Sequence, residues 1–223
     1  NPATATTAIT DTINTTTVSL SGESTVSEGA SSTYLLSLTS PAQGNVTVTL
    51  SYSGTAANGS DFTGTTTVTI PNGASSASFG IPTIDDTLAE GSENLTISIV
   101  NAAGGNFEHL AISGSNGSIT TTLLDNDASV LTLSATPSLT EAGGTLVYTV
   151  TATQPPVSDM TVTLSNGATI NLLAGQTSGT VNVPLPASDD VYLDPSSVSA
   201  TIASTSGGGI PVSIDPSPAV TTI

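Results

Sequence analysis

The sequence predicts an all-β protein built from two tandem β-sandwich modules. Apolar residues alternate with Ser and Thr along most of the 223 residues, which is the pattern of strands with one buried face. Gly, Pro, Asn and Ser divide the chain into short runs, and no run shows a helical period. A long internal repeat indicates that the sandwich occurs twice.

Seven strand-like runs in the first half match the strand number of an immunoglobulin-like sandwich. Aromatic residues make up only 3% of the chain, so we expect cores of Val, Ile, Leu and Ala. The predicted strands are Thr17–Leu20, Thr33–Leu38, Val46–Tyr52, Thr65–Ile70, Ala77–Ile81, Asn94–Val100 and Gly117–Leu124.

The second half repeats motifs of the first half in the same order. The Ser-Glu-Gly motif at Glu28 corresponds to Thr-Glu-Ala at Glu141, an offset of 113 residues. Val46–Ser51 returns as Met160–Ser165. The later motifs return at a smaller offset, so the second copy is expected to have shorter loops.

The repeat also predicts the module boundaries. Residues 1–14 read as the last strand and linker of a preceding repeat, because Asn1–Ile9 is similar to Asp215–Ile223. Module 1 is predicted at 15–127 and module 2 at 128–223. The joint at Leu124–Ala128 is short and has no Gly, so it is not expected to act as a flexible tether.

The charge balance restricts the possible ligands. The chain has 17 acidic residues and no Lys or Arg, which gives a net charge of −17. Nucleic-acid binding through a basic patch is therefore excluded. Cysteine is absent, which excludes disulfides and thiolate metal sites. Carboxylates that come together need a cation from solution, and Ca²⁺ and Mg²⁺ are the hard cations that prefer oxygen ligands.

The acids of module 1 cluster in positions expected to be loops. Glu28 follows the first strand, Asp61 lies in a Gly-Ser-Asp-Phe segment, and Asp85–Glu93 contains four acids in nine residues. Asp125 and Asp127 close the module. Loops at one end of a sandwich lie close together, so these acids are predicted to converge on calcium, which takes 6–8 oxygen ligands.

These motifs resemble a Calx-β domain, the calcium-binding sandwich of the sodium–calcium exchanger. The resemblance covers nearly all of module 1. It implies the following calcium ligands: Glu28, Asp61, Asp85, Asp86, Glu90, Glu93, Asp125 and Asp127.

Taken together, the two modules resemble the extender repeats of LapA-type repeats-in-toxin biofilm adhesins of Pseudomonas. The similar segments are Ile9–Leu20, Leu173–Val181 and Ala187–Val198. The resemblance implies a monomeric, calcium-stiffened extender segment of a large secreted adhesin at the bacterial cell surface. Its partners would be neighbouring repeats, and its role would be surface attachment and biofilm formation.

Module 2 departs from the calcium pattern. The acids that remain are predicted as ligands: Glu141, Asp189, Asp190 and Asp194. Counterparts of Asp61 and Glu93 are absent, so module 2 is expected to bind calcium weakly in this chain. Asp11 is predicted to be half of a junction site with a preceding repeat.

Two other classes of function are weighed against the extender. A ligand-binding adhesin module would contact a polysaccharide or a partner protein, but Tyr34 and Tyr148 are expected in the cores and Trp is absent. An enzyme is not expected, because His109 is the only His, is predicted in a loop and has no nucleophile motif beside it. Membrane insertion is not expected either, because no run approaches about 18 apolar residues.

Overall fold

The computed structural model describes residue 8, residues 12–187 and residues 196–223. Every regular element in those residues is a β-strand. The first half contains β1 Thr15–Gly22, β2 Thr25–Ser27, β3 Ser31–Leu38, β4 Val46–Gly54, β5 Thr67–Ile70, β6 Ser76–Pro82, β7 Glu93–Gly104, β8 His109–Ile112 and β9 Ser118–Leu124. The second half contains β10 Ser129–Ala135, β11 Gly144–Ala152, β12 Met160–Leu164, β13 Thr169–Leu172, β14 Ser178–Leu185, β15 Ser197–Ala200, β16 Ile202–Gly207, β17 Val212–Ile214 and β18 Ala219–Thr222.

The chain divides into two compact units. Unit 1 consists of Asn1–Asp86 and Ser92–Leu124, and unit 2 consists of Thr87–Gly91 and Asp125–Ile223. The loop Thr87–Gly91, which connects β6 to β7, therefore groups with unit 2. No helix in the described part of the chain has the length and apolar character to cross a membrane.

Unit 1 is a sandwich of two sheets. One sheet has the order β6-β3-β1-β8 and the other β2-β9-β7-β4-β5. All neighbours are antiparallel except β1 with β8 and β2 with β9. Burial alternates along β3, so its even-numbered side chains enter the core between the sheets. Fully burying such a Val, Leu or Ile stabilises the fold by about 1.5–3 kcal/mol. The core includes Val18, Tyr34, Leu36, Val46, Val48, Ile70, Ile81, Leu95 and Ile97.

Unit 2 repeats this architecture. Its first sheet, β14-β11-β10-β17, has the same connections as the first sheet of unit 1. The second layer consists of β13-β12-β16 and β15-β18. The strand that corresponds to β7 is divided at Thr201 into β15 and β16. The core includes Leu131, Leu146, Tyr148, Val150, Val162, Ile170 and Leu172.

The chain is thus all-β with two tandem immunoglobulin-like sandwich modules, as predicted. Each of the seven runs predicted in module 1 lies in or overlaps a strand. Tyr34 and Tyr148 are fully buried, which confirms their predicted core positions. The prediction missed β2 and β8, because three or four residues are too few to show an alternating pattern.

The loop position predicted for His109 is wrong. This residue begins β8 and pairs with Thr15 of β1 in parallel register. The His109 Nδ1 atom lies 3.3 Å from the Thr15 hydroxyl oxygen. The short apolar segment after it completes the edge of the first sheet, which local composition does not reveal.

Candidate metal centre

The turn that carries Glu28 is fixed by hydrogen bonds to its backbone within unit 1. The Glu28 amide donates to the Leu124 carbonyl over 3.1 Å, which ties the turn to the end of β9. The Thr83 hydroxyl lies 3.0 Å from the Ser27 carbonyl and 2.9 Å from the Ala30 carbonyl. The turn is therefore held against the segment that follows β6.

Gly29 allows the Asp85–Asp86 segment to approach this turn. Its φ of 72° lies in the left-handed region that favours glycine. A Cβ atom at Gly29 would lie only 3.1 Å from the Cβ of Asp85. Glu28 and Asp86 each place a carboxylate oxygen within 4.8 Å of the other's. Two acids 58 positions apart in sequence thus become neighbours.

Asp61 is positioned by the loop between β4 and β5. Its side chain is only 9% exposed, and Oδ2 accepts a hydrogen bond of 2.5 Å from the Ala57 amide. Its carbonyl accepts from the Ile84 amide over 2.9 Å, which joins this loop to the segment after β6. The Asp61 carboxylate lies within 4.8 Å of that of Glu93, the first residue of β7.

An aromatic pair supports the Asp61 loop from inside the sandwich. The rings of Tyr52 and Phe62 have centroids 5.3 Å apart, and Phe62 is fully buried. Burial raises the pKa of Tyr52, while its hydrogen bond to the Thr65 carbonyl opposes that shift. This pair could not be predicted from the sequence, because Tyr52 lies on β4 and Phe62 lies ten residues later in the β4–β5 loop.

The donor set of unit 1 fits a hard cation. Two unit charges about 4 Å apart repel by about 1 kcal/mol in bulk water and by about 4 kcal/mol at the effective dielectric constant near a protein surface. Unit 1 contains two pairs of carboxylates whose oxygens lie within 4.8 Å of each other, Glu28 with Asp86 and Asp61 with Glu93. The chain has no Lys or Arg to neutralise them. Carboxylate oxygens in loops are the ligands that calcium prefers.

Three other predicted ligands belong to unit 2: Glu90, Asp125 and Asp127. The Asp125 carboxylate accepts the backbone amides of Glu90 at 2.8 Å and Gly91 at 2.9 Å through Oδ2. Its Oδ1 accepts the Asp127 amide at 2.8 Å. Asp125 therefore holds the Thr87–Gly91 loop in place through two backbone hydrogen bonds.

Gln154 is the second residue that holds this loop, and it was not among the residues predicted from the sequence. Its side-chain Nε2 donates to the Thr87 carbonyl over 2.7 Å, and its Oε1 accepts from the Ala89 amide over 2.8 Å. The fully buried Ser129 hydroxyl bonds the Gln154 backbone and fixes its position. A single Gln before two prolines carries no recognisable signal in the sequence.

The remaining predicted ligands are not brought into a described cluster. Glu141 lies between β10 and β11 and lines a cavity of about 200 Å³ with Leu185, Val198 and Ile223. Within the described ranges, Glu141 belongs to no group of three carboxylates close enough to share one ion. The other four predicted ligands lie outside the described residues: Asp11, Asp189, Asp190 and Asp194.

Comparisons with known proteins give one family and a set of distant structures. Among the solved structures, the apo form of the Calx CBD1 domain is 24% identical over 50% of this chain and 98% of its own, with a TM-score of 0.43. The CBD12 structure from CALX1.2 is 18% identical over 85% of this chain and 81% of its own, with a TM-score of 0.45. Calcium binding domain CBD12 of CALX1.1 is 16% identical over 91% and 97%, with a TM-score of 0.43. No curated protein matches.

The family comparison covers both units. The model of the LapA domain matches residues 14–125 and again residues 127–223. These two matches take in all of the described strands. The chain therefore belongs to the LapA domain family, an adhesin-associated repeat, and contains two successive copies of that domain.

Proposed function

We propose that this chain is an extender segment of a large secreted bacterial adhesin and that calcium stiffens it. The observation that carries the proposal is the pairing of carboxylates in unit 1, Glu28 with Asp86 and Asp61 with Glu93, in a chain with no Lys or Arg. A cation bound between the two carboxylates of each pair would offset their repulsion, and calcium prefers such oxygen ligands.

Calcium would link loops that the fold already places side by side. An ion at Glu28 and Asp86 would join the β2–β3 turn to the segment after β6. An ion at Asp61 and Glu93 would join the β4–β5 loop to the start of β7. Because calcium takes 6–8 oxygens, further ligands are needed. We propose that these come from the other acids predicted from the sequence of module 1, which are Asp85, Glu90, Asp125 and Asp127.

The mechanical role follows from ligands contributed by loops and by the linker. An ion that binds loop acids and the linker acids Asp125 and Asp127 would restrict the bending of the chain at that joint. Occupancy at a hundredfold excess over Kd would stabilise the bound form by about 2.7 kcal/mol per site. Repeated along an array, this would hold an adhesive region away from the cell surface and so promote attachment and biofilm formation.

The absence of catalysis and the monomeric state are part of the proposal. An adhesin-associated repeat family and the lack of a nucleophile motif beside His109 support a structural role without chemistry. A net charge of −17 disfavours self-association through electrostatic repulsion. The partners proposed for the chain are neighbouring repeats of the same protein.

Small-angle X-ray scattering and thermal unfolding test the proposal together. Both are measured on the full chain in excess calcium, in excess magnesium and in chelator. We expect calcium to raise the melting temperature and to narrow the distance distribution to one extended form. The double variant Glu28→Gln/Asp86→Asn should lose part of both responses. Identical curves in calcium and chelator would contradict the proposal and would favour a module that binds a polysaccharide or protein directly.

A further inference from the structure

Unit 1 has an open groove at the end where β1 begins. Its volume is about 580 Å³. The residues that form it come from the start of β1, the β3–β4 connection and the β7–β8 connection. They include Asn14, Ser40, Ala42, Asn106, Phe107 and Glu108.

Backbone hydrogen bonds identify the matching positions in unit 2. In unit 1 the Thr39 amide donates a hydrogen bond to the Thr17 carbonyl. In unit 2 the Thr153 amide donates to the Val130 carbonyl in the same way. The next residue in each chain segment is Ser40 in unit 1 and Gln154 in unit 2, so these two correspond.

The other wall of the groove is matched by a second pair of hydrogen bonds. The Gln43 amide donates to the Gly105 carbonyl, and the Val157 amide donates to the Gly208 carbonyl. The residues that follow the two acceptors therefore correspond. These are Asn106, with a φ of 52°, and Gly209, with a φ of 70°.

In unit 2 these matching positions hold the Thr87–Gly91 loop. Gln154 bonds the backbone of Thr87 and Ala89 through both ends of its amide. Gly91 lies beside Gly209, since a Cβ on Gly91 would be 3.4 Å from the Gly209 carbonyl oxygen. Ala89 in this loop is buried, with only 6% of its surface exposed. The groove of unit 2 is thus filled by a β6–β7 loop, whereas the described residues of unit 1 leave its groove open.

A carboxylate that accepts backbone amides is present in both grooves, although it comes from different positions. In unit 2 it is Asp125, which bonds the Asp127 amide with one oxygen and the loop amides with the other. In unit 1 the amide that matches Asp127 is that of Asn14, and it donates to Glu108 Oε2 over 2.6 Å. Glu108 therefore takes the place of Asp125 and has a second oxygen to offer to an incoming loop.

We propose that the groove of unit 1 is a docking site for the β6–β7 loop of another LapA repeat, with the chemistry of Thr87–Gly91. Ser40 and Glu108 bond the backbone of the loop, and Phe107 and Ala42 cover its small apolar side chain. The inference rests on the proposal that the chain is part of a tandem array. Ser40 has a shorter side chain than Gln154, so the contact is weaker than its counterpart in unit 2.

The test uses a blocked peptide of residues 85–93 and the isotope-labelled full chain. Amide NMR shifts are followed during titration at about 0.15 M salt, where repulsion between the two acidic partners is screened beyond about 8 Å. We expect saturable shifts at Ser40, Asn106 and Phe107. Ser40→Gln should lower the dissociation constant at least threefold, because it introduces the longer side-chain amide that Gln154 provides in unit 2. Glu108→Ala should raise the dissociation constant by a similar factor.

A scrambled peptide and the presence or absence of calcium complete the design. The absence of shifts at the groove in both the parent chain and Ser40→Gln would overturn the proposal. Equal shifts with the scrambled peptide would overturn it as well. If the peptide binds but the scattering curve is the same with and without calcium, the docking site stands and the calcium-stiffened extender is rejected. If the scattering curve responds to calcium but the peptide does not bind, only the docking site is rejected.

Discussion

Units 1 and 2 place a tyrosine at the same point of the same sheet but surround its hydroxyl differently. Tyr34 in β3 and Tyr148 in β11 are both fully buried. The Tyr34 hydroxyl bonds Ser32 at 3.1 Å and Thr121 at 2.7 Å. Unit 2 has Leu146 where unit 1 has Ser32, and among the described residues the Tyr148 hydroxyl has no hydrogen-bond partner.

The difference between the units extends to their acidic ends. Unit 1 places two pairs of carboxylates within 4.8 Å, and Glu93 of the second pair begins the continuous strand β7. In unit 2 the corresponding strand is divided into β15 and β16, and no acid precedes it at the position of Glu93. Alternation of apolar residues therefore suffices for the sandwich in both copies, while a few polar substitutions decide which copy brings carboxylates together.

The largest expected difference between the units is their response to calcium. At a hundredfold excess over Kd, one occupied site should raise the free energy of unfolding of unit 1 by about 2.7 kcal/mol. Unit 2 should respond less. Urea unfolding followed by NMR signals of each unit measures both responses. Asp61→Asn/Glu93→Gln should remove much of the gain, whereas Glu141→Gln serves as the matched control. Equal gains in both units would contradict the assignment.

The second comparison is between variants that lack the hydroxyl of Tyr34 or of Tyr148. Tyr34→Phe should lower the free energy of unfolding of unit 1 by about 1–2 kcal/mol, because it breaks two buried hydrogen bonds. Tyr148→Phe should change that of unit 2 by less than about 0.5 kcal/mol or stabilise it, because a buried hydroxyl without a partner is costly. Chemical denaturation of each variant decides the matter. A large loss from Tyr148→Phe would show that its hydroxyl is satisfied.

The third comparison concerns Gln154 and its unit 1 counterpart, Ser40. Gln154→Ala should lower the stability of the docked Thr87–Gly91 loop by about 1–2 kcal/mol, because both hydrogen bonds to its backbone are lost. The exchange rate of the Ala89 amide reports this directly. Ser40→Ala is the control and should leave the Ala89 exchange rate unchanged. Unaltered exchange in Gln154→Ala would mean that Asp125 alone holds the loop.

The smallest expected effect is a pKa change at Asp215. The hydroxyl and backbone amide of Ser217 lower the pKa of this exposed carboxyl. A lowered native pKa stabilises the fold at pH values above the ordinary value, and this contribution is lost as the pH falls through the native pKa. Ser217→Ala should raise the pKa of Asp215 toward its ordinary value. Carboxyl NMR titration measures it, and an unchanged pKa would reject the hydroxyl as the main cause.

The sandwich fold could be predicted because it depends on a property of every strand. The alternating pattern of a segment such as Thr33–Leu38 identifies the buried face without knowledge of its partners. The offset of 113 residues between Glu28 and Glu141 then shows that the pattern occurs twice. The two short parallel pairings, β1 with β8 and β2 with β9, depend on distant partners and leave no local signal.

The candidate site could be predicted only in part. The acids could be predicted as candidate ligands because they occur in clusters in a chain without Lys or Arg. The pairing of Glu28 with Asp86 depends on Gly29 and Thr83, whose roles exist only in the folded turn. The role of Gln154 could not be predicted for the same reason, since its partners are backbone atoms of a loop that lies 65 residues earlier. Residue types can suggest ligands, but loop geometry decides their grouping.

Native-state hydrogen exchange in calcium and in chelator is the most direct test of calcium binding by unit 1. The informative amides are those of Glu28, Ala57 and Ile84, which form the hydrogen bonds that position the acids of unit 1. At a hundredfold excess of calcium over Kd, we expect these amides to exchange about a hundred times more slowly, while amides in β11 of unit 2 change much less. Exchange rates that are the same with and without calcium would contradict this expectation.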